Sequence, residues 1–231
     1  MKNVFLRLLQ KKCFDVNSSD SFKEIIGHND IKKILNKAII SIKPVHILLV
    51  GSPGSAKTSF LLNINRILKS SLFVIGSNTT KAGLINQLFV AKPKFLLVDE
   101  LEKMNRPDQT SLLHLMETGI IAETKANKTR QMGLSSSVFA SANSCDNIIE
   151  PLLSRFVVLK IPEYTFREFK EIVMFRLANE GIQACTAEKI ANSVWLELKS
   201  RNVRDAIKIS RLATKPKDIE DVVKILKNYK K

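Results

Sequence analysis

His46-Ile-Leu-Leu-Val50, running without a break into Gly51-Ser-Pro-Gly54-Ser-Ala-Lys57-Thr58, decides the architecture of this 231-residue chain. The first segment is a continuous apolar run, the pattern of a strand buried on both faces of a parallel sheet. The second has the spacing of a phosphate-binding loop between a strand and a helix. Its glycines let successive backbone N–H groups turn inward on a phosphate, and the helix N-terminus adds partial positive charge. Lys57 reaches toward the outer phosphate oxygens and Thr58 supplies a hard oxygen for Mg²⁺. The candidate nucleotide contacts are Ser52, Pro53, Gly54, Ser55, Ala56, Lys57, Thr58 and Ser59. Ala56 stands where the commonest form of the motif has glycine.

Strands and helices alternate outward from this loop. Ile25, Ile26, Ile31, Ile34, Leu35 and Ala38 have helical spacing, in a helix expected to end at Pro44. Downstream, helices are expected near 57–69, 82–90 and 107–117, with strands at 72–75, 95–98, 138–142 and 156–161. Residues 119–133 read as a hairpin inserted before the strand at 138. Beyond Pro162 the β signals stop and helices near 166–179, 187–199, 203–212 and 219–228 follow. The expected organisation is an N-terminal extension (1–20), an α/β domain with a parallel sheet between helices (21–162) and a small all-helical domain (163–231).

A second chemical signal is Phe95-Leu-Leu-Val-Asp99-Glu100, an apolar strand ending in two carboxylates. In this order after a phosphate loop, Asp99 joins Thr58 as a candidate metal residue, and Glu100 is placed to polarise an attacking water.

With 45% hydrophobic residues the chain can build a core, which excludes intrinsic disorder. Lys and Arg number 37 against 22 Asp and Glu, a net +15. The excess is shared by 1–162 (22 basic, 12 acidic) and 163–231 (15 basic, 10 acidic). An anionic partner such as nucleic acid is expected. Cys13, Cys145 and Cys185 lie far apart, so neither a disulfide framework nor a zinc site is written here, and a reducing, cytoplasmic location fits. No apolar run is long enough for a membrane helix, and the run at Met1–Lys12, broken by Arg7, reads as a docking helix or a frayed end.

These motifs resemble the AAA+ ATPases, P-loop NTPases with a helical lid. GSPGSAKT and VDELEKMN are similar to the Walker motifs of the MCM replicative helicases, which also tolerate alanine at the position of Ala56. Asn78-Thr-Thr-Lys-Ala-Gly83-Leu resembles a loop of MCM and RuvB-type Holliday-junction motors, and the hairpin at 119–133 resembles the pre-sensor-1 insertion of that clade. The resemblance implies ATP and Mg²⁺ as cofactors, with Ile26 and Gly27 of Phe22-Lys-Glu-Ile-Ile-Gly27-His on the adenine side. It implies Asn143 as sensor 1, Arg155 as an arginine finger offered to a neighbouring subunit, and Arg204 as sensor 2 on the lid. An arginine acting in trans implies a homo-oligomer, most often a hexamer. Lys125, Lys128 and Arg130 near the hairpin tip are candidate DNA contacts. The expected function is an ATP-driven motor on DNA; a MoxR-type protein-remodelling chaperone and a clamp-loader-like ATPase stay open.

Overall fold

The computed structural model describes residues 22–125, 128–213 and 215–229, with the side chains of Lys125 and Lys128 outside the described set. The N-terminal extension and Cys13 also lie outside it. The described residues divide into two units, those up to 51 with those between 56 and 161, and 52–55 with those from 162 onward.

In chain order the first unit contains α1 (Asn29–Ile39), β1 (Ile47–Val50), α2 (Lys57–Ile67), β2 (Ser71–Ile75), α3 (Lys81–Ala91), β3 (Phe95–Asp99), α4 (Arg106–Thr118), the strands β4 (Ile120–Lys125), β5 (Lys128–Gly133) and β6 (Ser137–Ala142), the single turn α5 (Glu150–Leu153) and β7 (Val157–Lys160). Single 3₁₀ turns cover Gly76–Asn78 and Leu101–Lys103. Among the described residues β4 and β5 form an antiparallel hairpin, and the other strands make one parallel sheet in the order β2-β3-β6-β1-β7.

Alternation along the central strands builds the core. Leu48, Leu96, Val98, Val138 and Ala140 face one side of the sheet, and Ile47, Leu49, Phe95, Leu97 and Phe139 the other. Both faces are covered, which is why β1 and β3 read as unbroken apolar runs. Ile47, Leu48 and Leu49 are fully buried, each contributing about 1.5–3 kcal/mol of transfer free energy. At the edge, β7 leaves Val157 and Val158 exposed.

The first helix is shorter than its periodicity predicts. Gly27 and His28 take left-handed conformations (φ 73° and 54°), so Ile25 and Ile26 precede the helix and Asn29 opens it. It stops at Ile39, well before Pro44. Lys32 donates its ammonium to the Ile25 carbonyl, closing the turn, and burial lowers its pKa. The start of α3 is fixed twice: Thr80 Oγ1 accepts from Gly83 N at 3.3 Å, and Asp108 of α4 accepts from Lys81 N at 2.5 Å.

The second unit carries α6 (Phe166–Asn179), α7 (Ala184–Leu196), α8 (Val203–Leu212) and α9 (Asp218–Tyr229). Helix α6 opens with a capping box between Thr165 and Glu168, and Asn202 caps α8 by accepting from Arg204 N at 3.0 Å.

Candidate nucleotide-binding site

The sheet order brings the chemistry together. Placing β6 between β1 and β3 puts three strand ends, at Val50, Asp99 and Ala142, side by side on one edge. Ligands of open parallel sheets bind at this carboxyl edge.

From β1 the chain enters the glycine loop. Gly54 has φ 89°, open to glycine at little cost. Ala56, immediately before α2, has φ 65° and ψ 9°, a left-handed conformation that costs an L-residue roughly 1–2 kcal/mol. A glycine at this position would take the same conformation at little cost, and this chain tolerates the strain. Lys57, 7% exposed, donates from Nζ to the Gly51 carbonyl at 2.7 Å. The ammonium therefore folds back over the loop at its root. First-turn N–H groups of α2 have no intrahelical acceptors and suit a phosphate.

Thr58 Oγ1 donates to Asp99 Oδ2 at 2.9 Å. One hydroxyl and one carboxylate side by side form the hard-oxygen donor set that Mg²⁺ takes while keeping several waters, so these residues fit the ion. Glu100 follows Asp99 in a left-handed conformation (φ 57°), which turns the chain out of the strand. Its Oε1 pairs with Lys103 Nζ at 3.0 Å and its Oε2 accepts from Ser77 at 3.4 Å. The Glu100 hydrogen bond and charge raise the Lys103 pKa. Gly76 packs against the Glu100 backbone so closely that a Cβ there would lie 2.3 Å from the Glu100 carbonyl oxygen.

Sequence reasoning missed Ser141. This residue of β6, 1% exposed, donates to Asp99 Oδ1 and accepts from Glu100 N at 3.2 Å. Its signal was its place two residues before Asn143, but the pairing of β3 with β6 is invisible without the sheet order. Glu102 was missed too. Asn143, exposed at the end of β6, donates to Glu102 Oε1 from both its backbone N (3.0 Å) and its Nδ2 (2.8 Å). Nearby, fully buried Gln109 donates to the carbonyls of Met104 and Asn147 and accepts from Ile149 N, tying together the loops after β3 and β6.

Arg155, half exposed, is held by Glu117 at the end of α4. Ile26 and Gly27 sit half-buried in the turn before α1. Arg204 is exposed in the first turn of α8, in the second unit. Of the hairpin candidates, Arg130 is engaged within the fold: Nε and Nη2 reach Glu123 at 2.8 and 2.6 Å, Nη2 meets Asn86 Oδ1 at 3.0 Å, and the guanidinium lies 4.3 Å from the Phe89 ring centroid. Lys125 and Lys128 have only their backbone described. Among the described residues no cluster of three or more His, Cys, Asp or Glu could hold a metal alone, and no helix is long and apolar enough to cross a membrane.

The MCM P-loop domain family matches residues 7–94. The DNA replication licensing factor mcm2 of Schizosaccharomyces pombe is 26% identical over 182 residues, covering 61% of this chain and 22% of that protein. The minichromosome maintenance protein MCM of Saccharolobus solfataricus is 26% identical over 177 residues, covering 59% and 26%. Among solved structures, the Holliday junction branch migration motor RuvB of Thermotoga maritima superposes with a TM-score of 0.64 at 22% identity, covering 89% of this chain and 66% of that one. The chain thus spans about a quarter or less of the length of these curated relatives.

Proposed function

We propose that this AAA+ ATPase core, resembling those of MCM and RuvB proteins, hydrolyses ATP with Mg²⁺ in a homo-oligomer acting on DNA. The observation that carries the reading is the single sheet edge on which Lys57, the Thr58–Asp99 pair, Glu100 and Asn143 converge.

Each residue has a role its chemistry permits. The loop N–H groups and Lys57 bind the β- and γ-phosphate oxygens, exchanging the Gly51 carbonyl for an anionic partner. Thr58 and Asp99 would hold Mg²⁺, which would supply neutralisation of phosphate charge. Glu100 orients the water for in-line attack and accepts its proton. Asn143, fixed at the adjacent strand end, aligns the same water. Phosphoryl transfer needs positioning and charge balance above all. Arg155 sits at the surface, where a guanidinium can serve a neighbouring subunit's γ-phosphate; this is the basis for proposing a ring, a hexamer by family habit. Residues 162–231 act as the lid, with Arg204 as its phosphate sensor, and Ile26 and Gly27 flank the adenine.

The net +15 charge, the hairpin and the names of the relatives support DNA as the substrate. A protein-remodelling role of the MoxR type is the second reading, favoured by one observation: Arg130 is committed to Glu123, Asn86 and Phe89 and offers little free charge. Steady-state hydrolysis by the wild type and Glu100→Gln, with single-stranded, duplex and four-way-junction DNA at two salt concentrations, tests both. Stimulation by one DNA form that fades with salt supports the motor. Hydrolysis indifferent to every DNA supports the remodelling reading, and wild-type turnover by Glu100→Gln rejects the site.

A further inference from the structure

Asn143 is exposed at a strand end, and an exposed amide there would sample several rotamers and both flips unless something held it. Glu102 holds it. One oxygen, Oε1, accepts from both the backbone N (3.0 Å) and Nδ2 (2.8 Å) of Asn143, closing a ring that fixes backbone and side chain together. An ionised carboxylate only accepts, so the amide must present its NH₂ to Glu102 and turn its own oxygen the other way. The grip therefore selects the flip of the amide as well as its position.

The second oxygen of Glu102, Oε2, is buried without a hydrogen-bond partner among the described residues. Leaving a charged acceptor unsatisfied is costly, and a residue serving stability alone has better choices at this place. The arrangement is braced: Glu102 lies in the 3₁₀ turn directly after Glu100, and Gln109 ties that segment to the loop beyond Asn143.

We infer that Glu102 is a positioning residue for hydrolysis, setting the flip and placement of the Asn143 amide relative to the water that Glu100 activates. This rests on the proposed role of Asn143 in orienting that water.

The test uses the 231-residue chain and ATP, measuring kcat, KM, affinity for a fluorescent ATP analogue and the melting transition. Asn143→Ala comes first: wild-type turnover there rejects the role of Asn143 itself and leaves Glu102 nothing to position. With Asn143→Ala slow, Glu102→Ala should lower kcat on the order of 100-fold, as for a misplaced catalytic group, while KM and analogue affinity stay put. Glu102→Gln keeps an acceptor oxygen and should restore most of the rate. The double variant should be no slower than Asn143→Ala. Near-wild-type kcat for Glu102→Ala, or a double variant slower by the product of the two single effects, overturns the inference. If Glu102→Ala loses its melting transition, Glu102→Asp, whose oxygen is drawn back by one methylene, must show the same kcat loss at constant KM.

Discussion

Replacing Ser141 with alanine removes one oxygen and almost no volume, so its cost reports hydrogen bonding rather than packing. The hydroxyl is buried and bonds twice, donating to the Asp99 carboxylate and accepting from Glu100 N. A bond to a charged group contributes about 1.5–3 kcal/mol and a neutral one about 0.5–1.5. Both partners are left in a poorly solvated place, so the expected loss is about 2–4 kcal/mol. At about 2–4 °C per kcal/mol for a chain of this size, the midpoint should fall by roughly 4–16 °C. Ser136→Ala is the internal control. Ser136 is equally buried, at 3% exposed, and its hydroxyl has no partner among the described residues. Removing an unpaired buried hydroxyl should cost less than about 0.5 kcal/mol or stabilise. Thermal melts followed by circular dichroism, with urea titrations as a second probe, compare the two variants with wild type. Equal losses for both serines, or a Ser141→Ala loss under about 0.5 kcal/mol, would refute the claim that this hydroxyl joins β6 to the carboxylates.

Ala56→Gly should stabilise by a few tenths to about 1 kcal/mol, the relief of a left-handed alanine less the extra freedom glycine brings to the unfolded chain; a lower melting point would contradict the strain assigned to Ala56. Arg155→Ala and Glu117→Ala should each shift stability by under about 1 kcal/mol, as for a partly exposed ion pair, yet Arg155→Ala should abolish turnover and recover part of it when mixed with Glu100→Gln subunits. Full activity of Arg155→Ala alone removes it from the site. Burial lowers the His46 pKa, and Nδ1 accepts from Val138 N at 3.1 Å, so the folded state keeps the ring neutral. The unfolded chain binds the proton first, so stability should be complete above the unfolded value near 6.5 and fall as pH drops through it. His46→Asn should flatten that part of the curve. An unchanged slope, with His28 and His114 present in both proteins, would show that His46 is not the group responsible.

Local signals carried much of the fold. The runs at Ile47–Val50 and Phe95–Val98 had to be buried strands, and a glycine loop ahead of Lys57-Thr58 had to open a helix. What stayed hidden was contact across the sheet. Ser141 meets Asp99 only because β6 lies beside β3, and Glu102 meets Asn143 across 41 residues of sequence; no periodicity encodes either partner. The early end of the helical stripe at Ile25 was hidden differently, since two left-handed residues, Gly27 and His28, outweighed the spacing of apolar side chains. Arg130, expected as a candidate DNA contact near the hairpin tip, has partners within the fold that no spacing encodes, Glu123, Asn86 and Phe89.

That anchoring also sets the mechanics of the hairpin. Beyond the Glu123–Arg130 rung the described residues add the pairs Thr124–Thr129 and Lys125–Lys128, about 7 Å of arm at roughly 3.4 Å per residue. Arg130 clamps the root of this arm to Asn86 and Phe89 of α3. Helix α3 in turn begins a few residues after the Ser77 that touches Glu100. The paired strands, α3 and the Glu100 carboxylate thus follow one another through named contacts, with Arg130 the rivet between the first two.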